Sequence, residues 1–283
     1  MAGHVHLSKD PGQVGIAHVT LEHAGKFNAM SRAMWLQLRA VFEAVQRDAS
    51  LRCVVLRGHG GHFCAGGDIS EYPGFRFDAR QLQHFHEVEV WGGLNAILEC
   101  DVPVVAHIEG NCMGAGLEIA SCCDLRLATS DARFGAPIAR LGFPMAPKEA
   151  ALVAAAVGST TARAMLLAAE VFDAGHMQER DFLTRHLPPA DLVAHVLATA
   201  QRIAALAPQA ARLNKQTLRQ LSAAVMSSSM QNMAAGRTDT PQPAIKNGAS
   251  GGGEGVAPAY AYARSDEHRE GISAFLDKRS PDF

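Results

Sequence analysis

One pattern, a short apolar run that ends in a glycine-rich turn and reopens as an apolar helix, occurs twice in this chain and constrains the fold most. In the first copy read here, Val102–Ile108 has the character of a buried strand. It is followed by Gly110–Asp124, with Gly114-Ala115-Gly116-Leu117-Glu118 at its centre. Gly114 and Gly116 carry no Cβ, so backbone can lie close to a docked group there, or the helix can pack tightly on the strand. The first N–H groups of the helix lack intrahelical partners and suit a phosphate or a developing oxyanion. Glu118, about one turn in, is placed to act on the same ligand or to complement the helix dipole. The second copy is Cys53–Leu56, a buried strand ended by Gly58, then His59-Gly60-Gly61-His62-Phe63-Cys64-Ala65-Gly66-Gly67-Asp68-Ile69. Gly67 and Ala115 lie 48 positions apart, room for one helix and one strand. Two such turns argue for two backbone donor sites converging on one ligand atom. Neither turn fits G-x-x-x-x-G-K-[ST] or G-x-G-x-x-G, which argues against nucleotide triphosphates and dinucleotides.

The rest of the chain supplies the frame. Val14–Leu21 is β-rich between turn residues and predicts a strand. Ser31 is a good N-cap for a helix whose stripe is Trp35, Leu38, Phe42 and Val45. Asp78–Leu98 predicts one helix with His84, His86, Glu87 and Glu89 as solvated positions. Residues two apart do not share a helix face, so His84 and His86 are not read as a metal pair. Leu125–Ala128 predicts a strand, Ala132–Pro137 a turn, Ala146–Val157 and Thr160–Ala169 helices, and Leu183–Leu187 a last strand. From Ala190 the pattern is helical: Ala190–Leu206, Pro208 to about Met226, and Ser265–Leu276 with Ser265 as N-cap. Asp239–Pro258, rich in Gly, Pro and Ser, predicts a flexible loop. The reading is an α/β core over residues 1–189 and a helical region over residues 190–283.

Composition excludes several partners. With 26 basic against 28 acidic residues, a net charge of −2, no field exists to attract nucleic acid or an anionic membrane surface. No apolar run approaches the roughly 20 residues of a membrane span, and the N-terminus has no signal-peptide h-region. The six cysteines lack C-x-x-C spacing and read as small buried hydrophobes of a reducing compartment. A cytoplasmic protein is expected.

Taken in order, Asn28-Ala29-Met30-Ser31, Phe63–Asp68, Gly110–Asp124, Phe134-Gly135-Ala136-Pro137 and Glu270–Arg279 make the chain resemble the crotonase superfamily, the enoyl-CoA hydratases and isomerases, from about Val14 to Phe283. The resemblance implies a crotonase-like spiral of ββα units, with C-terminal helices that build a homotrimer or homohexamer. It implies an acyl thioester of coenzyme A as ligand and no cofactor beyond that coenzyme A moiety. By the match, the N–H groups of Gly67 and Ala115 form an oxyanion hole, with Ala115 replacing a common glycine where only an N–H is required. Coenzyme A recognition falls to Ala65, Gly67, Asp68 and Ile69, with Lys26 near the phosphates. Phe275 and Lys278 assist from the same or a neighbouring subunit.

The hydratases of that family use two glutamates. The first matches Glu118. The second matches Ile138, whose alkyl group transfers no proton. A further aspartate position of some isomerases and dehalogenases falls at Ala146. These departures argue against the standard hydratase mechanism and the usual Δ3,Δ2-isomerase mechanism. Three functions stand on the sequence: an enolate-stabilising acyl-CoA enzyme with Glu118 as its acid/base, a thioester-binding protein without turnover, and a thioester hydrolase. Glu71, Tyr72, His62 and His86 are further polar groups that could enter the pocket.

Overall fold

The computed structural model of this chain describes residues 2–9, 12–235 and 262–282, with backbone alone over 222–235. The loop expected at Asp239–Pro258 lies outside those residues. Nine strands are described: β1 (His4–Lys9), β2 (Ile16–Glu22), β3 (Cys53–Gly58), β4 (Val104–Ile108), β5 (Asn111–Met113), β6 (Leu125–Thr129), β7 (Arg133–Gly135), β8 (Val171–Asp173) and β9 (Arg185–Leu187). Six form one sheet in the order β1-β2-β3-β4-β6-β9, and β5-β7-β8 form a second. In the large sheet only β1 runs antiparallel, pairing Leu7 with Val19. The others are parallel, as in Leu56 opposite Ala106 and Ala106 opposite Arg126. A parallel strand with both faces covered must be apolar throughout, and every residue of β4 is buried.

Helices cover both faces. α1 (Arg32–Arg47) starts at Ser31, whose side chain accepts from the Met34 N–H, and buries Met34, Trp35, Leu38, Phe42 and Val45. Next come α2 (Ala79–His84), a π-helical segment (Phe85–Val90) and α3 (Trp91–Glu99), which packs on α1. α4 (Ala115–Ser121), α5 (Pro147–Val157), α6 (Ser159–Leu167) and α7 (Ala174–Glu179) follow. α8 (Pro189–Ala204) lays Leu192, Val196 and Ala200 on the opposite sheet face, against Ile16, Val55, Val105 and Leu127. α9 (Pro208–Ala235) and α10 (Asp266–Leu276) complete the set, Ser265 capping the latter through the His268 N–H. No described helix is long and apolar enough to cross a membrane.

Several elements differ from the sequence reading. β1, β8 and α7 are additional. Where Ala132–Pro137 predicts a turn, Arg133–Gly135 forms β7, held by parallel pairing with β5. The single helix expected at Asp78–Leu98 is interrupted by the π-helical segment. All six cysteines are buried and unpaired.

Candidate active site

The two glycine-rich turns are stitched together. Cys64 N–H donates to the Asn111 carbonyl and Met113 N–H to the Cys64 carbonyl, each at 2.9 Å. Gly116 is what lets them approach: a Cβ there would stand 2.5 Å from the Cys64 carbonyl oxygen. That glycine therefore serves close packing of one turn on the other, rather than of helix on strand or approach to a ligand. Asn28, at φ +61, ties the loop after β2 to the turn that begins at His59. Its amide donates to the carbonyls of His59 and His62, at 2.8 Å each, while its oxygen accepts from the His23 N–H.

The stitching leaves two N–H groups over. Met30 bridges past Gly67, donating to the Gly66 carbonyl and accepting from the Asp68 N–H, both at 2.8 Å. Ala115 opens α4, where an N–H has no intrahelical acceptor. Among the described residues neither the Gly67 nor the Ala115 N–H has a backbone acceptor, although Gly114 N–H donates to the Gly135 carbonyl at 2.9 Å. Gly67 and Ala115 line one cavity of about 550 Å³. α4 has only seven residues, so these are local donors rather than the end of a long dipole.

Glu118, Ile138 and Ala146 line the same cavity. Ile138 begins the 3-10 turn Ile138–Leu141, and Ala146 directly precedes α5. The two positions that could bring a further carboxylate beside Glu118 are thus apolar. Burial, then the negative charge of Glu149, raises the Glu118 pKa from the ordinary 4.5 to about 8, with Arg76 opposing.

The cavity is also reached by a polar chain of which the sequence reading named only His86. Arg76 is fully buried and lines the cavity. Its guanidinium donates to His86 Nε2 (3.2 Å), His268 Nε2 (3.4 Å) and Tyr262 Oη (3.3 Å). Its carbon sits 4.5 Å from the Tyr72 ring centroid and 4.1 Å from that of Phe143. A guanidinium only donates, so both imidazoles offer it a lone pair and carry their proton on Nδ1. His86 Nδ1 then donates to Glu149 Oε1 (2.9 Å), and His268 Nδ1 to the Ala263 carbonyl (3.1 Å). Burial lowers both histidine pKa values, His268 to about 4, and keeps the rings neutral. Glu149 in the first turn of α5, 2 % exposed, is linked through His86 to the buried cation.

His86 and Glu89 are accordingly not solvated. The His86 side chain is 12 % exposed, and Glu89 is buried against the Arg32 guanidinium, while His84 does face solvent. The signal was present. His86 lies four residues after Leu82 and beside Phe85, on the face those residues bury. Among the described residues no cluster of His, Cys, Asp or Glu could hold a metal.

The other expected site residues divide into two groups. Lys26, Ala65, Asp68, Ile69 and Phe275 line the cavity with Gly67, whereas Lys278 is exposed beyond α10 and outside its wall. The Lys26 ammonium is held at the cavity mouth by both Asp68 oxygens (2.7 and 2.8 Å) and by Ser70 Oγ (2.7 Å). Tyr72 and His86 also line the cavity. Glu71 instead accepts from the Arg32 N–H at the start of α1, and His62 packs edge-on against Phe27.

Comparisons with known proteins bear on the family and the fold. The family model described as enoyl-CoA hydratase/isomerase matches residues 12–251. The 2,3-dehydroadipyl-CoA hydratase of Escherichia coli strain K12 is 28% identical over 94% of this chain and 93% of its own length. Among solved structures, an enoyl-CoA hydratase/carnithine racemase from Magnetospirillum magneticum is 31% identical, with a TM-score of 0.73 over 99% of this chain and 94% of its own. A methylmalonyl-CoA decarboxylase solved with 2-nitronate-propionyl-CoA, 22% identical, shares the fold with a TM-score of 0.78 over 99% of this chain and 97% of its own.

Proposed function

The chain belongs to the enoyl-CoA hydratase/isomerase family, and within it we propose that this member relocates a proton on an acyl-CoA thioester through an enolate. The observation that carries the proposal is a cavity lined by two N–H groups, Gly67 and Ala115, with no backbone acceptor among the described residues, and by the carboxyl of Glu118. The other cavity carboxylate, Asp68, is bound to Lys26. One carboxyl can take a proton from the carbon beside the thioester carbonyl and return it to another carbon. The C–H electron pair moves onto the carbonyl oxygen and back, so no atom is gained or lost. Water addition divides the labour between two groups, and neither Ile138 nor Ala146 supplies the second. A raised pKa favours the role, because a carboxyl with a pKa of about 8 is a stronger base than an ordinary carboxylate and can also hold and return the proton near neutral pH.

Coenzyme A would lie along Lys26, Ala65, Asp68 and Ile69, with Phe275 and Leu276 of α10 closing the cavity. No cofactor beyond that moiety is called for. Assembly into a trimer or hexamer is part of the proposal, supported by exposed Leu213, Leu218 and Leu221 on α9.

Incubation with a panel of saturated, 2-enoyl, 3-enoyl and hydroxyacyl-CoA thioesters, read by mass and by chromatography, tests the reading. Interconversion of positional isomers without mass change supports it. A gain of 18 Da means hydration, free thiol means hydrolysis, and binding without any product means a binding protein; each of these overturns it.

A further inference from the structure

The segment that supplies the Gly67 N–H folds straight back on itself. Asp68 caps the 3-10 helix Ile69–Gly74 by accepting from the Ser70 N–H. At three residues per turn, Ile69 and Tyr72 eclipse one another, and both line the cavity. The Tyr72 ring has little freedom there. Phe75, Phe85 and Phe143 meet it edge-on with centroids at 5.8, 6.2 and 6.0 Å, and the Arg76 guanidinium lies over it.

This box aims the phenol oxygen at Gly67. A Cβ on residue 67 would fall 2.2 Å from Tyr72 Oη, so the hydroxyl occupies the place of the side chain that residue 67 lacks. A Cβ stands roughly 2.5 Å from its own backbone nitrogen. The Tyr72 hydroxyl therefore lies no farther than about 4.7 Å from the Gly67 nitrogen, close enough to share with it an oxygen that sits between them. Among the described residues that hydroxyl has no hydrogen-bond partner, and it is not sealed from the cavity.

We propose that Tyr72 is a further catalytic residue, its hydroxyl giving the thioester oxygen a third hydrogen bond beside the Gly67 and Ala115 N–H groups. The assignment rests on the oxyanion-hole reading above. Burial pushes the phenol pKa up to about 12, against the pull of Arg76, so the group remains a neutral donor at physiological pH. It donates a hydrogen bond and keeps its proton; Glu118 carries the proton traffic.

The test is Tyr72→Phe, which keeps the ring and its packing and removes one oxygen. Butyryl-CoA labelled with ¹³C at the thioester carbonyl is bound to wild type and variant, and the carbonyl stretch is recorded by infrared difference spectroscopy. The expected result is a downshift on binding to wild type that shrinks in the variant, with kcat falling on the order of 10²-fold and KM nearly constant. An equal downshift in both proteins overturns the role of Tyr72 and leaves the backbone donors standing. No downshift in wild type, or no binding, overturns the oxyanion hole itself. Should the variant not fold, the phenol C–O stretch of ring-labelled tyrosine in wild type decides: a shift on butyryl-CoA binding supports the assignment, and an unmoved band sinks it.

Discussion

The hydroxyl of Tyr72 stands 2.2 Å from where a side chain on residue 67 would begin, and the ring carbon that bears it stands 3.2 Å away. The residue offering an N–H to the cavity and the residue offering an O–H thus limit each other. Gly67 is there less for backbone freedom than for the room this oxygen takes.

A double-mutant cycle checks that relation. Gly67→Ala forces a methyl group into the phenol oxygen and should cost about 1–3 kcal/mol, the usual range for overpacking. In the background of Tyr72→Phe the nearest atom becomes the ring carbon, so the same substitution should cost clearly less. Urea midpoints of the four proteins give the coupling, expected to exceed about 0.5 kcal/mol. Strict additivity would show that the close contact does not exist.

Glu118 should make stability fall as pH rises. Its folded pKa, raised to about 8, lies above the unfolded value near 4.5, with burial the first cause and Glu149 the second. Between those values the folded chain holds a proton that the unfolded chain has released, so stability declines through that window and levels off above it. Glu118→Gln removes the ionisation and should melt higher than wild type at pH 8.5, by on the order of 2–4 °C for each kcal/mol relieved. At pH 4 the two should melt nearly together. A difference independent of pH would mean that the carboxyl titrates normally.

Much of this arrangement was legible in the sequence, because its parts are local. Strand, glycine turn and helix recur within short stretches, with Glu118 just past the second turn along the chain, while Ile138 and Ala146 were legible only through the family resemblance. What escaped depends on contacts between distant segments. β7 and β8 have three residues each and exist through pairing with one another and, for β7, with β5. β1 is mostly exposed, so its pattern carries little apolar signal. The Arg76–His86–Glu149 chain joins a loop, a π-helical segment and the start of α5. His86 reads as solvated although it falls on the face that Leu82 and Phe85 bury, because the partner that satisfies it lies 63 residues away. Periodicity also cannot foresee a π turn, and here it is that segment which carries His86.

Ile138 gives the sharpest test of what this cavity does. It is half-buried on the wall that Glu118 shares, and a carboxylate in its place would supply the second group that water addition requires. Wild type should hydrate crotonyl-CoA weakly or not at all. Ile138→Glu should raise that rate above wild type, and adding Glu118→Gln should abolish the gain, since shape is kept but the proton site is lost. The new carboxylate lies near one that is already disfavoured in its charged form, so the variant should melt lower than wild type above pH 7. The decisive number is the wild-type rate. A kcat/KM for crotonyl-CoA hydration near the diffusional ceiling of about 10⁸ M⁻¹s⁻¹ would mean that another cavity group, with His86 the nearest in chemistry, already does what a glutamate at 138 would do.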